Sequence, residues 1–81
     1  MKPFYKVPFT RGVWYVTTCD VIGLFEKLPE GIELKYRSTG HSIYDGMIGF
    51  FFKDKEGNDR RWDMYEDFDP EAEAIGKFRK K

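Results

Sequence analysis

The chain has 81 residues, with 14 Lys+Arg against 14 Asp+Glu, 41% hydrophobic and 19% aromatic residues. That length holds one small domain, 1–81, and excludes large multidomain enzymes. Zero formal net charge removes the long-range pull on nucleic acid or anionic lipid that a strongly basic domain exerts, though a local patch stays open.

Eight Phe, five Tyr and two Trp supply the apolar area that a short chain otherwise lacks, since each aromatic buries about 150–250 Å². Cys19 stands alone and cannot close an intrachain disulfide, which points to a reducing, cytoplasmic compartment. The opening Met1-Lys2-Pro3-Phe4-Tyr5-Lys6-Val7-Pro8 lacks the apolar core of a signal peptide. No apolar run approaches the roughly 20 residues that span a bilayer, so a soluble protein is expected.

In chain order, residues 1–12 read as an irregular or edge-strand segment, because Pro3 and Pro8 lack backbone donors. The β-branched and aromatic run from Val13 to Thr18 predicts a strand. Val21, Leu24, Phe25 and Leu28 then fall on one helical face, and Pro29 ends that predicted helix. Ile32 to Arg37 alternates apolar and charged residues, which predicts a half-buried strand. Ser38 to Ser42 reads as a loop and Asp45-Gly46 as a turn. Residues 47–65 read as a hairpin bent at Gly57-Asn58. Asp69 as N-cap, Pro70 at the first helical position and the acids behind it predict a closing helix, with its basic end suited to the macrodipole. The expected fold class is α+β: a small antiparallel sheet of about four strands with two helices packed on one face, in the order β-α-β-β-β-α.

Candidate chemistry is sparse. Cys19 and His41 are the one thiol and the one imidazole, so a Cys-His dyad is conceivable, but no third group to orient it is evident. The same scarcity rules out a structural zinc site built from this chain alone. Asp63, Glu66, Asp67, Asp69, Glu71 and Glu73 lack the spacing of a calcium loop and read as helix-cap acids. Gly46-Met47-Ile48-Gly49 is neither a P-loop nor a dinucleotide fingerprint, and no cofactor is expected. The run Gly46 to Phe52 resembles the aromatic strand of RNA recognition motifs in its aromatics; Asp45 replaces the leading basic residue and a hairpin follows instead of a helix, so no family is assigned.

Alternation sorts the sheet into two faces. Trp14, Val16, Ile32, Leu34, Tyr36, Ile48, Phe50, Phe52, Trp62 and Met64 are expected inward, covered by two helices presenting Val21, Leu24, Phe25, Leu28, Ala72, Ile75 and Phe78. The opposite face then carries Tyr15, Met47, Phe51 and Tyr65 among Lys35, Arg37, Lys53 and Arg61, with Glu33 and Asp63 as its acids. These residue types are enriched in protein interfaces. The expected function is a non-enzymatic interaction module (a regulator, inhibitor or accessory protein, of a size common among phage and mobile-element products) that binds another protein or itself through that face, with no membrane role. Single-stranded nucleic-acid binding by the same face and a small Cys/His enzyme are the alternatives. A competing arrangement closes the face with Phe4, Tyr5, Val7 and Phe9.

Overall fold

The computed structural model describes residues 6–81. It is mostly β. Strands β1 (Trp14–Thr17), β4 (Glu33–Ser42), β5 (Met47–Asp54), β6 (Asp59–Tyr65) and β7 (Phe78–Lys80) form one antiparallel sheet in the order β6-β5-β4-β1-β7, and β2 (Val21–Ile22) with β3 (Lys27–Leu28) forms a second, two-stranded one. A single six-residue helix, α1 (Pro70–Ile75), lies between β6 and β7.

The α+β expectation with two packed helices is therefore overturned, for two local reasons. The apolar spacing at 21–28 suits a helix, but so short a segment gains little from helical propagation, and Gly23 allows a tight reversal. Its N–H donates to the Glu26 carbonyl at 3.0 Å, and a Cβ there would meet that oxygen at 3.1 Å. The reversal pairs Val21 with Leu28 and buries both completely, while Leu24 and Phe25 stay exposed. At the C-terminal end, Asp69 does cap α1, accepting from the Glu71 N–H at 3.1 Å behind Pro70. The helix stops at Ile75 because Gly76 is a poor helix former and because Phe78 gains more as a strand residue. In β7 it pairs beside Thr17 and packs on Trp62 and Phe52 with centroids at 5.0 and 5.8 Å. Pro70 and Ala74 face inward, whereas Ala72 and Ile75 do not.

Strand β4 runs on through the segment expected as a loop. Ser38, Thr39, Gly40, His41 and Ser42 pair with Phe51, Phe50, Gly49, Ile48 and Met47, after a bulge at Arg37. The hairpin of β5 and β6 turns at Gly57, whose φ of +83° lies in the left-handed region. Asp54 fixes that turn by accepting from the N–H groups of Glu56 and Asn58 at 3.0 and 2.9 Å.

The inner face of the large sheet is the core, made of Tyr15, Leu34, Tyr36, Ile48, Phe50, Phe52, Trp62, Met64 and Phe78. Phe9, from a segment without regular structure, sits over its middle. Its ring lies 5.0 Å from Tyr15, 5.4 Å from Phe50, 5.0 Å from Phe52 and 5.1 Å from Phe78, all edge-to-face. Of the segment expected to close the outer face, Phe9 covers the inner face and Val7 is exposed; Phe4 and Tyr5 lie outside the described residues.

Candidate partner-binding face

Strand β1 enters the sheet in the opposite phase to the expected one. Tyr15 and Thr17 are buried inward, and Trp14 and Val16 are half-buried on the outer face. A one-residue change of phase exchanges every side chain between faces, and both phases of this run are apolar. Hydrogen bonding decides between them. The Tyr15 hydroxyl accepts from the Thr10 N–H at 2.7 Å, and the Thr17 hydroxyl donates to the Pro29 carbonyl at 2.7 Å while accepting from the Ile32 N–H at 3.0 Å. Both polar groups are thereby satisfied inside the core. Tyr15, expected to bind a partner, is a core residue and leaves the site.

The other expected residues share the outer face. Cross-strand pairs set them in rows: Trp14, Lys35 and Lys53; then Phe51 with Arg61; then Gly40, Gly49 and Asp63; then Ser42, Met47 and Tyr65. Arg37 stands at the bulge between the first two rows, where the extra residue re-aims the strand. Gly40 and Gly49 are directly paired, and the Phe51 ring lies back over both. A Cβ on Gly40 would sit 3.3 Å from that ring, and one on Gly49 would sit 3.2 Å from it and 2.7 Å from a carboxylate oxygen of Asp63.

Arg61 is the centre of the face. Its guanidinium grips Asp63 with two bonds of 2.6 Å, one to each carboxylate oxygen. It lies 4.7 Å from the Phe25 ring centroid and 5.2 Å from that of Phe51, a cation held between two rings. The hydrogen bonds to Asp63 push the Arg61 pKa above its usual value against the opposing effect of burial. Glu26 accepts from the Arg61 N–H at 3.0 Å and from the Arg60 side chain, which ties the β2–β3 turn to β6. Two clefts, of about 540 and 400 Å³, share Phe51 and Arg61 as a common wall.

Acids and bases on this face are not matched one to one. Glu33 is taken by Lys55 at 3.0 Å and by Lys81, Asp59 by Lys53 at 3.0 Å, and Asp63 by Arg61. Lys35, Arg37 and Arg79 have no ion-pair partner among the described residues. Sequence reasoning missed Trp14, assigned inward with the wrong phase of β1, and Phe25, assigned to a helix. The Gly23 turn was the available signal for Phe25.

The remaining candidates lie elsewhere. The Cys19 thiol contacts the Gly76 carbonyl at 3.8 Å near the start of β7, while His41 Nε2 meets Glu66 at 2.6 Å at the far end of β4, so the structure does not join them. Among the acids expected as cap residues, Asp63 binds Arg61, Glu66 binds His41, Asp69 caps α1 and Glu73 meets Lys77 at 3.3 Å. Among the described residues no helix is long and apolar enough to cross a membrane. No protein-family model, curated protein or solved structure matches the chain.

Proposed function

We propose that this chain is a non-enzymatic interaction module, acting as a regulator, inhibitor or accessory protein, that binds a partner protein through the outer face of its five-stranded sheet. The observation that carries this reading is the Phe25-Arg61-Phe51 stack on a face that no helix covers, with Phe25 61% and Tyr65 50% exposed beside it. Aromatic residues and Arg supply most binding energy at interfaces when they sit in a fixed arrangement. The lone thiol fits a reducing, cytoplasmic setting.

The unpaired Lys35, Arg37 and Arg79 beside aromatic rings also favour a second reading, single-stranded nucleic acid. The two separate on salt. Three phosphate contacts would give a log-log salt slope of about −2, which a protein partner anchored on rings does not need. The test is binding to a partner recovered by affinity capture and identified by mass spectrometry. Tyr65→Ala and Phe25→Ala should each weaken that binding by more than about 2 kcal/mol, with thermal stability unchanged. Undiminished binding by both variants would refute the reading.

A further inference from the structure

The face has a charge pattern that specifies its partner more closely. The acids of its strands, Glu33, Asp59 and Asp63, are each bonded to a cation of the same chain, whereas Lys35, Arg37 and Arg79 are left over. Arg37 and Ser38 open onto the cleft of about 540 Å³, whose wall is formed by Phe51 and Arg61. We infer that this cleft receives an extended acidic segment of the partner protein, one carboxylate engaging Lys35, a second, two residues on, engaging Arg37, and an apolar or aromatic side chain two residues further along the same side resting on the Phe51 wall. The inference rests on the partner-binding reading and deepens it.

Three geometric facts support the assignment. The bulge at Arg37 puts two successive β4 residues opposite one position of β5, so the Arg37 side chain is exposed at the cleft rim and free to make the bidentate bond a carboxylate prefers. Lys35 follows on the same strand and face, next to Trp14, about 7 Å away at the rise of a strand, which matches alternate side chains of an extended peptide. Arg61 is a weaker anchor for a carboxylate than Arg37, because its Nε and one Nη already donate to Asp63, which offsets its charge. The cleft as a whole is lined by Arg37, Lys53, Arg60 and Arg61 against Glu26 and Asp59, an excess of positive charge that disfavours a basic segment and admits an acidic one.

The experiment is fluorescence anisotropy with labelled peptides of about eight residues, long enough when extended at about 3.3 Å per residue to follow β4 past Lys35, Arg37 and the Phe51 wall. The probes are the peptide Gly-Glu-Gly-Glu-Gly-Tyr-Gly-Gly, which sets both carboxylates and the ring on one side when extended, its Gln-for-Glu and Lys-for-Glu counterparts, and an oligothymidylate of similar length. The Glu peptide should bind at least about tenfold more tightly than the Gln peptide. Arg37→Glu should remove that advantage, and Lys35→Glu/Arg37→Glu should instead take up the Lys peptide. Both positions are exposed, and circular dichroism checks that the variants stay folded. Equal binding of the Glu and Gln peptides, failure of the charge swap, or tighter binding of oligothymidylate would each overturn the inference. If the captured partner is lost by Tyr65→Ala yet held unchanged by Lys35→Glu/Arg37→Glu, the acidic segment falls and the partner-binding reading stands. If neither variant affects capture, both fall.

Discussion

Replacing Phe9 with alanine should nearly unfold the protein, although Phe9 belongs to a segment with no helix or strand. The ring is 7% exposed and meets Tyr15, Phe50, Phe52, Trp62 and Phe78 edge-to-face at 5.0 to 6.1 Å. Truncating a buried Phe costs about 3–5 kcal/mol through lost transfer energy and the cavity left behind. Each favourable ring pair adds about 0.5–1.5 kcal/mol beyond area, though such terms do not sum when they share one ring. The upper half of the 3–5 range is therefore expected. A chain of 81 residues has a total stability of roughly 4–12 kcal/mol at 0.05–0.15 per residue, so one side chain holds a third or more of it. Urea unfolding followed by tryptophan fluorescence reads the loss directly, because Trp62 stacks on Phe50 within the same cluster. Thermal melting should show a fall of at least about 16 °C at ~4 °C per kcal/mol. Val7→Ala, an exposed site on the same segment, should stay within about 0.5 kcal/mol. A Phe9→Ala loss below about 1 kcal/mol would refute the placement of this segment over the core.

Gly49→Ala should destabilise by about 1–3 kcal/mol, the cost of overpacking, because the new Cβ would meet the Asp63 carboxylate at 2.7 Å and the Phe51 ring at 3.2 Å; Gly12→Ala meets no atom within 4 Å, but its φ of +82° confounds it as a control, so the check is Gly49→Ala against wild type in urea, and a neutral result would show that the face is looser than described. Stability should also fall on acidification. Burial opposes the charge of Asp54, but hydrogen bonds from Asn58, Glu56 and Arg60 outweigh it and leave its pKa below the ordinary carboxylate value; Glu33 is likewise held down, by Lys81 and then Lys55. A carboxyl depressed in the fold stabilises above its unfolded pKa of about 4 and loses that contribution as pH falls through the lower folded value. Urea midpoints should therefore drop below about pH 4, and less steeply in Asp54→Asn. A midpoint that holds or rises there would contradict the assignment.

What was legible in the residues depended on how strongly one period outweighed the other. Ile32 to Arg37 alternates strictly, and 47–65 carries its turn at Gly57, so the first half of β4, β5 and β6 and the outward set Lys35, Phe51, Lys53 and Arg61 could be placed by parity alone, whereas 38–42, read as a loop, continues β4. The segment 21–28 satisfied a helical period by four apolar residues; its shortness and Gly23 argued against a helix, and a tertiary contact completes the case, since the Gly23 turn binds Asp63 through the Leu24 N–H at 3.2 Å. Phe78 was read as the end of a helix because the caps at Asp69 and Pro70 are strong. Its burial between Trp62 and Phe52 depends on strands far away in sequence. The phase of β1 was ambiguous for a different reason. Trp14 and Val16 are as apolar as Tyr15 and Thr17, and the choice lies in the hydrogen bonds of Thr10, Pro29 and Ile32, which no local pattern announces.

Which surface a small sheet can offer a partner follows from where its own chain is used up. The inner face is filled by Phe9, by Val21 and Leu28, and by Pro70 and Ala74 of α1. The β6 edge is occupied, since Asp63 accepts from the Leu24 N–H and the Arg61 N–H donates to Glu26. The β7 edge is three residues long and carries Arg79 and Lys80, the short and charged form that resists strand addition. The outer face remains, and it is already stiff. Arg61 is fixed by Asp63, Phe25 and Phe51, and the Phe51 ring rests on two glycines, so a partner immobilises few rotamers there, each of which would otherwise cost about 0.5–1.5 kcal/mol. The unpaired cations lie around this platform at Lys35, Arg37 and Arg79, where charge acts on encounter rate and partner choice more than on net affinity. Loss of an aromatic from the face should therefore raise the dissociation rate, whereas loss of one of these cations should lower the association rate and its sensitivity to salt. Surface-plasmon-resonance kinetics of Tyr65→Ala and Lys35→Ala on the captured partner separates the two, and the same rate constant changing in both would show that rings and charges do not divide the work in this way.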